Sequence, residues 1–398
     1  MADLNIVRRA RYWFTCLMVH RPAVLRALGR WISRSNLLSE NLPVATTCPM
    51  AAQVFRRSTD FSHAAHAPAL VAGEFTLGMT TSPAQAWDRE LLEAVLPDPQ
   101  RYARRSALAA RDILARLQAR HPRRFDLIHD YGVWIVWAAH RAAFGRAGSR
   151  LPTCLGAPQQ MSQSNQNLAF FAELRHLGAN LFGGASAPAE VQRRAKESSK
   201  AVRQRVELCL PEIRASWARA RPGISEPEVR RNAVGLLWVA HPASVQALAL
   251  VVQELLKRPL LHRSLRRQTQ RLGDAAWSDA AYRTTLRAHV IELLRFHPPF
   301  PVLPRECVRD TEIPLSRGRR LSVAAGDSVA VLAAAAMFDP AHVRNAGKFD
   351  PERTASDRSI VADTYFLFGD GTRACIAQEQ VLQMLVSGLT GLLTLPKL

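Results

Sequence analysis

The sequence predicts a mainly α-helical fold with a small β subdomain. Long apolar or amphipathic helical patterns fill most of the chain before Phe296, and a last apolar helix is expected from Ile376 to Leu393. Between them, the segment from Phe300 to Val331 is rich in β-prone residues and turns. No shift in composition divides the chain, so we expect a single domain over residues 1–398.

Proline marks several of the predicted helix boundaries. Pro22 stands in the first turn of a helix at Arg21–Ser35, and the Pro298-Pro299 pair stops a helix at Asp279–Phe296. A very long apolar helix, Pro227–Leu256, is interrupted by Pro242. Further helices are expected at Met50–Arg57, Ala84–Val95, Arg101–Arg120, Phe125–Phe144 and Pro188–Ile213. Short strands are expected at Val44–Cys48, Val302–Leu303, Glu312–Ile313 and Ser328–Val331, with turns at Gly318 and Gly326.

Composition and charge exclude several classes of protein. A hydrophobic fraction of 48% is too high for a disordered chain, and the glycine and proline counts are too low for a collagen-like one. The net charge is +20, and only five of the 53 basic residues are lysine. Such an excess of arginine is compatible with a polyanionic partner, with carboxylate-binding sites, or with a biased genome composition.

The six cysteines are scattered without a C-x-x-C pair, which argues against a disulfide scaffold and against a cysteine-based zinc site. The early apolar run Tyr12–Val19 is too short to span a bilayer, and no cleavage site follows it. We therefore expect a cytoplasmic protein with no transmembrane segment. An N-terminal helix lying at a membrane surface is the less favoured alternative.

The segment around Cys375 is the most informative part of the chain. Gly369 and Gly371 let the backbone turn tightly, and Arg373 can reach a carboxylate. Cys375 stands at the start of a helix, where the backbone N–H groups favour a thiolate, and Phe368 can shield the sulfur from water. A free cysteine in a loop is usually an inert small hydrophobe, but here five fixed residues share one frame. Together they predict a thiolate ligand for haem iron.

The pattern F-G-x-G-x-R-x-C resembles the haem-binding loop of cytochrome P450 enzymes. Further motifs occur in that family's order: Glu292-x-x-Arg295 on a helix upstream, and then the phrase Phe349-Asp350-Pro351-Glu352-Arg353. The resemblance implies a cytochrome P450-like fold and a haem b whose iron is bound by Cys375. It also implies that Glu292, Arg295 and Arg353 form a buried charge network that braces the haem-binding core. The match is strong from Glu292 onward and weak over residues 1–43.

The resemblance assigns further residues to the haem. Arg305 stands where the family pairs an arginine with a haem propionate, as Arg373 does in the loop. The helix that begins at Pro83 resembles the one that carries a histidine and an arginine four residues apart, both directed at propionates. Arg89 keeps the arginine position, whereas Gln85 occupies the histidine position. Phe368, Gly369 and Gly371 complete the expected cofactor-binding set.

The segment that resembles the family's oxygen-activating helix departs from its pattern. Monooxygenases of the family carry an acid followed by a threonine there, and the pair delivers protons during O2 activation. In Val239-Ala240-His241-Pro242-Ala243-Ser244, Pro242 occupies the acid position and Ala243 the threonine position. His241 and Ser244 are the nearby side chains able to exchange protons, so they are the candidate catalytic residues. His241 is equally well explained as a core histidine, and Pro242 as the cause of a kink.

Three functions remain open from the sequence. The first is a haem-thiolate monooxygenase that oxidises a small hydrophobic substrate with electrons from a ferredoxin-type donor. The second is a peroxygenase or hydroperoxide isomerase, which uses a peroxide and needs no acid–threonine pair. The third is a haem-binding pseudoenzyme. The chain also ends at Leu398, soon after Cys375, where the family usually continues into a β hairpin. We expect a more open substrate pocket, a partner that completes the pocket, or a truncated chain.

Nucleic-acid binding is the least favoured use of the positive charge. The locally basic run contains no interleaved aromatic residues of the kind that stack on bases. We expect it to be a solvated helix face or part of a surface that docks an acidic electron donor. The run comprises His262, Arg263, Arg266, Arg267 and Arg271.

Overall fold

The computed structural model describes residues 21–62, 83–119, 124–155, 162–183, 187–356 and 364–395. The expected mainly helical fold with a small amount of sheet is confirmed. The helices before the sheet region are α1 (Pro22–Arg34), α2 (Asn36–Asn41), α3 (Cys48–Arg56), α4 (Pro83–Val95), α5 (Pro99–Ala119), α6 (Val133–His140), α7 (Ala147–Arg150), α8 (Gln163–Gly183), α9 (Ala189–Trp217), α10 (Glu226–Leu256), α11 (Pro259–Leu272) and α12 (Ala280–Phe296). Those within and after it are α13 (Ala333–Ala336), α14 (Glu352–Ser356) and α15 (Gln378–Thr394).

The long helix α10 is at the centre of the helical region. It packs against α6, α8, α9, α12 and α15, and its apolar residues belong to the main hydrophobic core. Ser225 begins the helix with a capping box, in which its hydroxyl accepts the Glu228 N–H and the Glu228 carboxylate accepts the Ser225 N–H. Tertiary packing on several sides explains why the sequence of this helix is apolar around most of its circumference.

Two small sheets lie beside the helices. The first has the strand order β1 (Val44–Ala45), β6 (Ser328–Val331), β3 (Leu303–Cys307) and β2 (Phe61–Ser62), with β1 and β6 parallel and the other pairs antiparallel. The second is a hairpin of β4 (Thr311–Pro314) and β5 (Arg320–Val323). Arg305 pairs with Val329 across β3 and β6, so the sheet fixes the place of this arginine.

The structure adds one long helix that we did not predict, α8, and several short helices of four to six residues. Helix α8 buries Phe170, Phe171, Leu174 and Leu177, whose spacing is that of one helical face. The polar residues that begin α8 obscure this signal in the sequence. The basic run His262–Arg271 lies on helix α11, as expected for a solvated helix face. The predicted helix at Phe125–Phe144 consists of a π-helical turn, Leu127–Gly132, followed by α6 and a 3₁₀ turn, Arg141–Phe144.

One helix of the described chain, α10, is long and apolar enough to cross a membrane by length and composition. More than half of its most apolar stretch is buried inside the protein. A buried core helix has this same composition, so the observation is weak support for a membrane span.

Candidate functional site

The loop from Phe366 to Ala377 is held against helix α3. Gly371 has a φ of +69°, and a Cβ at this position would lie 3.0 Å from the Phe55 carbonyl oxygen and 3.1 Å from the Arg56 Cα. Both the backbone conformation and the lack of space therefore require glycine here. The Arg56 guanidinium pairs with the Asp370 carboxylate at 2.7 Å, which ties the tip of the loop to the end of α3.

Cys375 is placed by the backbone of this loop. Its N–H donates to the Phe368 carbonyl at 2.8 Å, which closes the loop just before α15 begins. Cys375 is exposed, whereas Cys48, Cys209 and Cys307 are buried. The surrounding protein nevertheless raises the pKa of the Cys375 thiol, while an N–H of Ala377 and the charge of Arg89 act in the opposite direction. Positive groups near the sulfur are what a thiolate requires.

Two arginines with buried guanidinium groups, one in this loop and one on β3, have no carboxylate partner within the described ranges. All three guanidinium nitrogens of Arg373 are buried and have no hydrogen-bond partner among the described residues. Arg305 is 4% exposed, donates to the Pro304 carbonyl at 2.9 Å and lies over the Phe55 ring. Burial lowers the pKa of Arg373 to about 10. Burial, with a smaller effect from the Arg373 charge, lowers the pKa of Arg305 to about 9.

Two mutually repelling buried cations are costly unless an anion neutralises them. No ion pair of Arg305 or Arg373 with an acid occurs in the part of the chain that the structure describes. The arrangement therefore fits a bound group that carries two carboxylates on the side facing these arginines. A haem, with its two propionates, is such a group.

Helix α4 contributes two polar side chains to the same region. The Arg89 guanidinium donates to the Thr372 carbonyl at 3.2 Å and to the Ala374 carbonyl at 2.8 Å. The Gln85 amide donates to the Thr372 carbonyl at 3.4 Å, and Gln85 is 3% exposed. Both predicted residues thus contact the backbone of the cysteine loop, and their contact with a propionate stays a prediction.

Comparison with known proteins identifies the same family that the sequence motifs resemble. The family model for cytochrome P450 matches residues 187–380, a segment that contains Glu292, Arg295 and Cys375. This segment of the chain belongs to the cytochrome P450 family. It is 28% identical over 184 residues to the probable cytochrome P450 6u1 of Drosophila melanogaster, and 28% identical over 163 residues to human cytochrome P450 4F8. These matches cover 44% and 39% of this chain but only 37% and 31% of the relatives' own length.

Similar solved structures cover nearly the whole of this cytochrome P450. P450BioI, solved in complex with an acyl carrier protein that bears hexadec-9Z-enoic acid, has a TM-score of 0.67, with 94% of this chain and 91% of that chain covered. A zebra fish cytochrome P450 solved with progesterone has a TM-score of 0.64, with 87% and 85% covered. Sequence identities of 13% and 18% mean that these comparisons establish the fold alone.

Family and fold imply a haem b whose iron has a thiolate ligand. The described residues fit this group, since an exposed cysteine and two buried arginines without an acid lie in one region. Cys375 would bind the iron, and Arg373 and Arg305 would bind the propionates. When bound, the haem would supply redox chemistry at its iron. The predicted contributions of Phe368, Gly369 and Gly371 are consistent with their place in the loop, where they shape the backbone around Cys375.

The predicted charge network of Glu292, Arg295 and Arg353 is present only in part, because Glu292 pairs with Arg295 but not with Arg353. The Glu292 and Arg295 side chains are completely buried and form a two-hydrogen-bond ion pair, with N···O distances of 2.7 and 2.9 Å. The remaining acceptor capacity of Glu292 is used by the Tyr365 hydroxyl at 2.9 Å and the Asp350 N–H at 3.0 Å. Fully satisfied groups are what allow such a pair to be buried.

Arg353 does not join Glu292 as we expected. Its guanidinium donates to the backbone carbonyls of Arg344, Asn345 and Lys348, and the Asp350 carboxylate lies 3.7 Å away. Arg295 donates to the Lys348 carbonyl as well, at 3.1 Å. The two arginines therefore brace the same backbone segment, and they meet at a peptide carbonyl rather than at the glutamate.

His241 and Ser244 lie on the side of α10 that is packed against α6. The Nε2 of His241 is 3.2 Å from the Val133 carbonyl oxygen, and its ring stacks on Phe171 at 5.0 Å. The Ser244 hydroxyl is 3.4 Å from Nε2 of His140. Both residues are at most 3% exposed, and burial lowers the pKa of His241 to about 4. These contacts favour the core-histidine interpretation, and the catalytic assignment of both residues stays an untested prediction.

Another side of α10 is half-buried and nearly without proton-donating groups. It carries Leu236, Val239, Ala243 and Gln246, spaced three to four residues apart as on one helical face. Ala243, at the family's threonine position, is among them. Pro242 packs against α8, where a Cβ on Gly178 would lie 2.6 Å from the Pro242 ring. Close packing of the two helices thus explains both the proline and the glycine.

We expect Arg373→Leu to weaken haem binding about ten- to hundredfold, because a hydrogen bond to a charged group contributes about 1.5–3 kcal/mol. The same change removes an uncompensated buried charge, so the haem-free protein is expected to be at least as stable as the parent. Haem transfer to an acceptor apoprotein and denaturant unfolding of the haem-free protein measure the two effects. Arg267→Leu, on the exposed side of α11, is the matched control. Equal haem retention in both variants would contradict the assignment.

Proposed function

We propose that this cytochrome P450 is a haem-thiolate monooxygenase that oxidises a small hydrophobic organic substrate. The observation that carries the proposal is that Cys375, just before α15, lies near two arginines whose guanidinium groups are buried and lack an acid among the residues that the structure describes. Family membership supports oxidoreductase chemistry at a thiolate-bound iron. Solved relatives described with a fatty acyl group, corticosterone or progesterone support an apolar substrate class. The specific substrate is not part of the proposal.

The electron donor in this proposal is an acidic redox protein of the ferredoxin type. Four arginines of α11 form no ion pair with an acid in the described part of the chain, and three of them are exposed. An unneutralised basic helix of this kind attracts an acidic partner over a distance. The four are Arg263, Arg266, Arg267 and Arg271. The cytoplasmic location stays a prediction.

A second candidate is a peroxide-dependent enzyme, and the half-buried side of α10 favours it. Neither Pro242 nor Ala243 can hold or move a proton, whereas His241 and Ser244 are buried on another side of the helix. A peroxide already carries the electrons and protons that the O2 route must collect in steps. A chain without a proton relay at this position is therefore better suited to a peroxide than to O2.

The second candidate predicts that turnover with a peroxide exceeds turnover with O2 and a reductant by at least about tenfold, because a positioned proton donor contributes about 10²–10⁴-fold. Ala243→Thr is expected to raise the O2 rate relative to the peroxide rate. Product formation with hydrogen peroxide, and separately with NADPH and ferredoxin partners, measures both. Ala249→Thr, also half-buried on α10, is the matched control. O2-driven turnover in the parent that equals or exceeds peroxide turnover would exclude the second candidate and leave the monooxygenase.

A further inference from the structure

Two cysteines outside the haem site lie next to each other. Cys154 belongs to the segment after α7, and Cys209 lies within α9. The Cys154 sulfur is 3.6 Å from the Arg205 carbonyl, which lies one helical turn before Cys209. The thiols of Cys154 and Cys209 are close enough for each to shift the pKa of the other. Both are free thiols in the structure.

Arg205 fixes the segment that carries Cys154. Its guanidinium donates to the carbonyls of Leu151 and Pro152, at 3.3 and 2.7 Å, and pairs with the Glu173 carboxylate of α8 at 3.0 Å. The Arg205 side chain is 8% exposed. A buried cation with several acceptors therefore holds the segment that carries Cys154 against α9, the helix that contains Cys209.

The two thiols differ in access and in acidity. Cys154 is half-buried, whereas Cys209 is completely buried. The Cys209 thiol, together with the charges of Arg205 and Arg150, lowers the pKa of Cys154 to about 7. The pKa of Cys209 is raised, first by its hydrogen bond with Cys154 and then by burial. An accessible thiolate beside a protected thiol is the arrangement of a reactive cysteine with a resolving partner.

We propose that Cys154 and Cys209 form a dithiol site that is oxidised by hydroperoxides to an intramolecular disulfide. The Cys154 thiolate attacks the O–O bond, takes one oxygen as a sulfenic acid, and releases the remainder as water or an alcohol after protonation. The Cys209 sulfur then attacks the Cys154 sulfur, and the S–O bond breaks as the S–S bond forms. The Cys209 proton leaves with the hydroxyl as water. One peroxide is reduced and two thiols are oxidised, and a thiol reductant reverses the change.

The disulfide would join the segment after α7 to the middle of α9. That helix packs along α8 and α10, so the cross-link connects a surface segment to the layer of helices that includes α10. The site involves no residue that we assign to the haem. It is therefore independent of the proposed function, and either can fail without the other.

The test treats the haem-loaded protein with hydrogen peroxide, and separately with diamide, a thiol oxidant that does not require iron. When the treated protein is alkylated after denaturation, we expect the loss of two alkylatable cysteines, the loss of two hydrogens in intact mass, and a peptide pair that links Cys154 to Cys209 under non-reducing digestion. Dithiothreitol should restore both thiols. Cys154→Ser and Cys209→Ala should each abolish the linked peptide, and in Cys209→Ala a sulfenic acid at residue 154 should become trappable with dimedone.

Cys307→Ser is the matched control, because Cys307 is buried beside the small sheets and its thiol donates to the Arg309 carbonyl. It should form the Cys154–Cys209 disulfide as the parent does. The proposal is overturned if the parent protein, under both oxidants, keeps Cys209 alkylatable or gains oxygen at Cys154 without forming the linked peptide. This readout needs no variant to fold.

Discussion

Cys375→Ala is expected to remove the thiolate signature of the haem and to reduce substrate turnover to background. No other described cysteine can replace it: Cys48, Cys209 and Cys307 are buried elsewhere in the core, and the Cys154 thiol contacts the Leu151 and Arg205 carbonyls. The sulfur would both bind the iron and supply electron density to it, so its loss would change the chemistry as well as the affinity. Haem content and the absorption spectrum of the purified variant measure the effect.

Cys307→Ala provides the comparison for this variant. It also removes a thiol, but one that is buried against the Arg309 and Val323 carbonyls and far along the chain from the haem loop. We expect this control to keep the spectrum and the turnover of the parent. If Cys375→Ala kept the parent's spectrum as well, the assignment of Cys375 as the iron ligand would be wrong.

Glu292→Gln is expected to destabilise the protein by about 3–5 kcal/mol, since it leaves the completely buried Arg295 without its counter-charge. The amide keeps the shape of the carboxylate but cannot accept both guanidinium hydrogen bonds and those of Tyr365 and Asp350. Loss of the pair should also loosen the backbone segment that Arg295 and Arg353 hold together. Thermal and denaturant unfolding of the haem-loaded protein measure the change.

Two graded variants accompany this prediction. Tyr365→Phe removes one hydrogen bond to Glu292, so we expect a loss of about 1 kcal/mol. Glu312→Gln alters an exposed ion pair with Arg320, whose side chains are 49% and 67% exposed, and should change stability by less than about 1 kcal/mol. If Glu292→Gln were no more harmful than Glu312→Gln, the buried pair would not brace the core.

The cysteine loop could be predicted because its functional residues are close together in the sequence. The loop places Gly371, Arg373 and Cys375 within a few residues of each other, so their spacing indicates that they act together. The same holds for Glu292 and Arg295, which are three apart on one helix and pair as predicted. The fold class and the family followed from these motifs, and both are confirmed.

Contacts between residues far apart in the chain could not be predicted from the sequence. Arg353 was expected at Glu292, but Tyr365 and the Asp350 N–H occupy the glutamate's acceptor sites. No periodicity or motif marks Tyr365 for this contact, because it depends on how two irregular segments cross. The approach of Cys154 to Cys209 likewise joins positions far apart in the chain.

The orientation of α10 about its axis could not be predicted from the sequence. The segment around His241 is apolar on most sides, so the sequence does not show which side faces a pocket. Packing against α6 and α8 places His241 and Ser244 in the core. The choice between O2 and a peroxide as oxidant therefore concerns the half-buried side of α10 that carries Ala243.

The reduced, carbon-monoxide-bound spectrum of the haem-loaded protein is the most direct test of the central claim, which is that Cys375 binds haem iron as a thiolate. We predict the absorption band of a thiolate-ligated haem, absent in Cys375→Ala and present in Cys307→Ala. A band at the position of histidine-ligated haems in the parent protein would contradict the account.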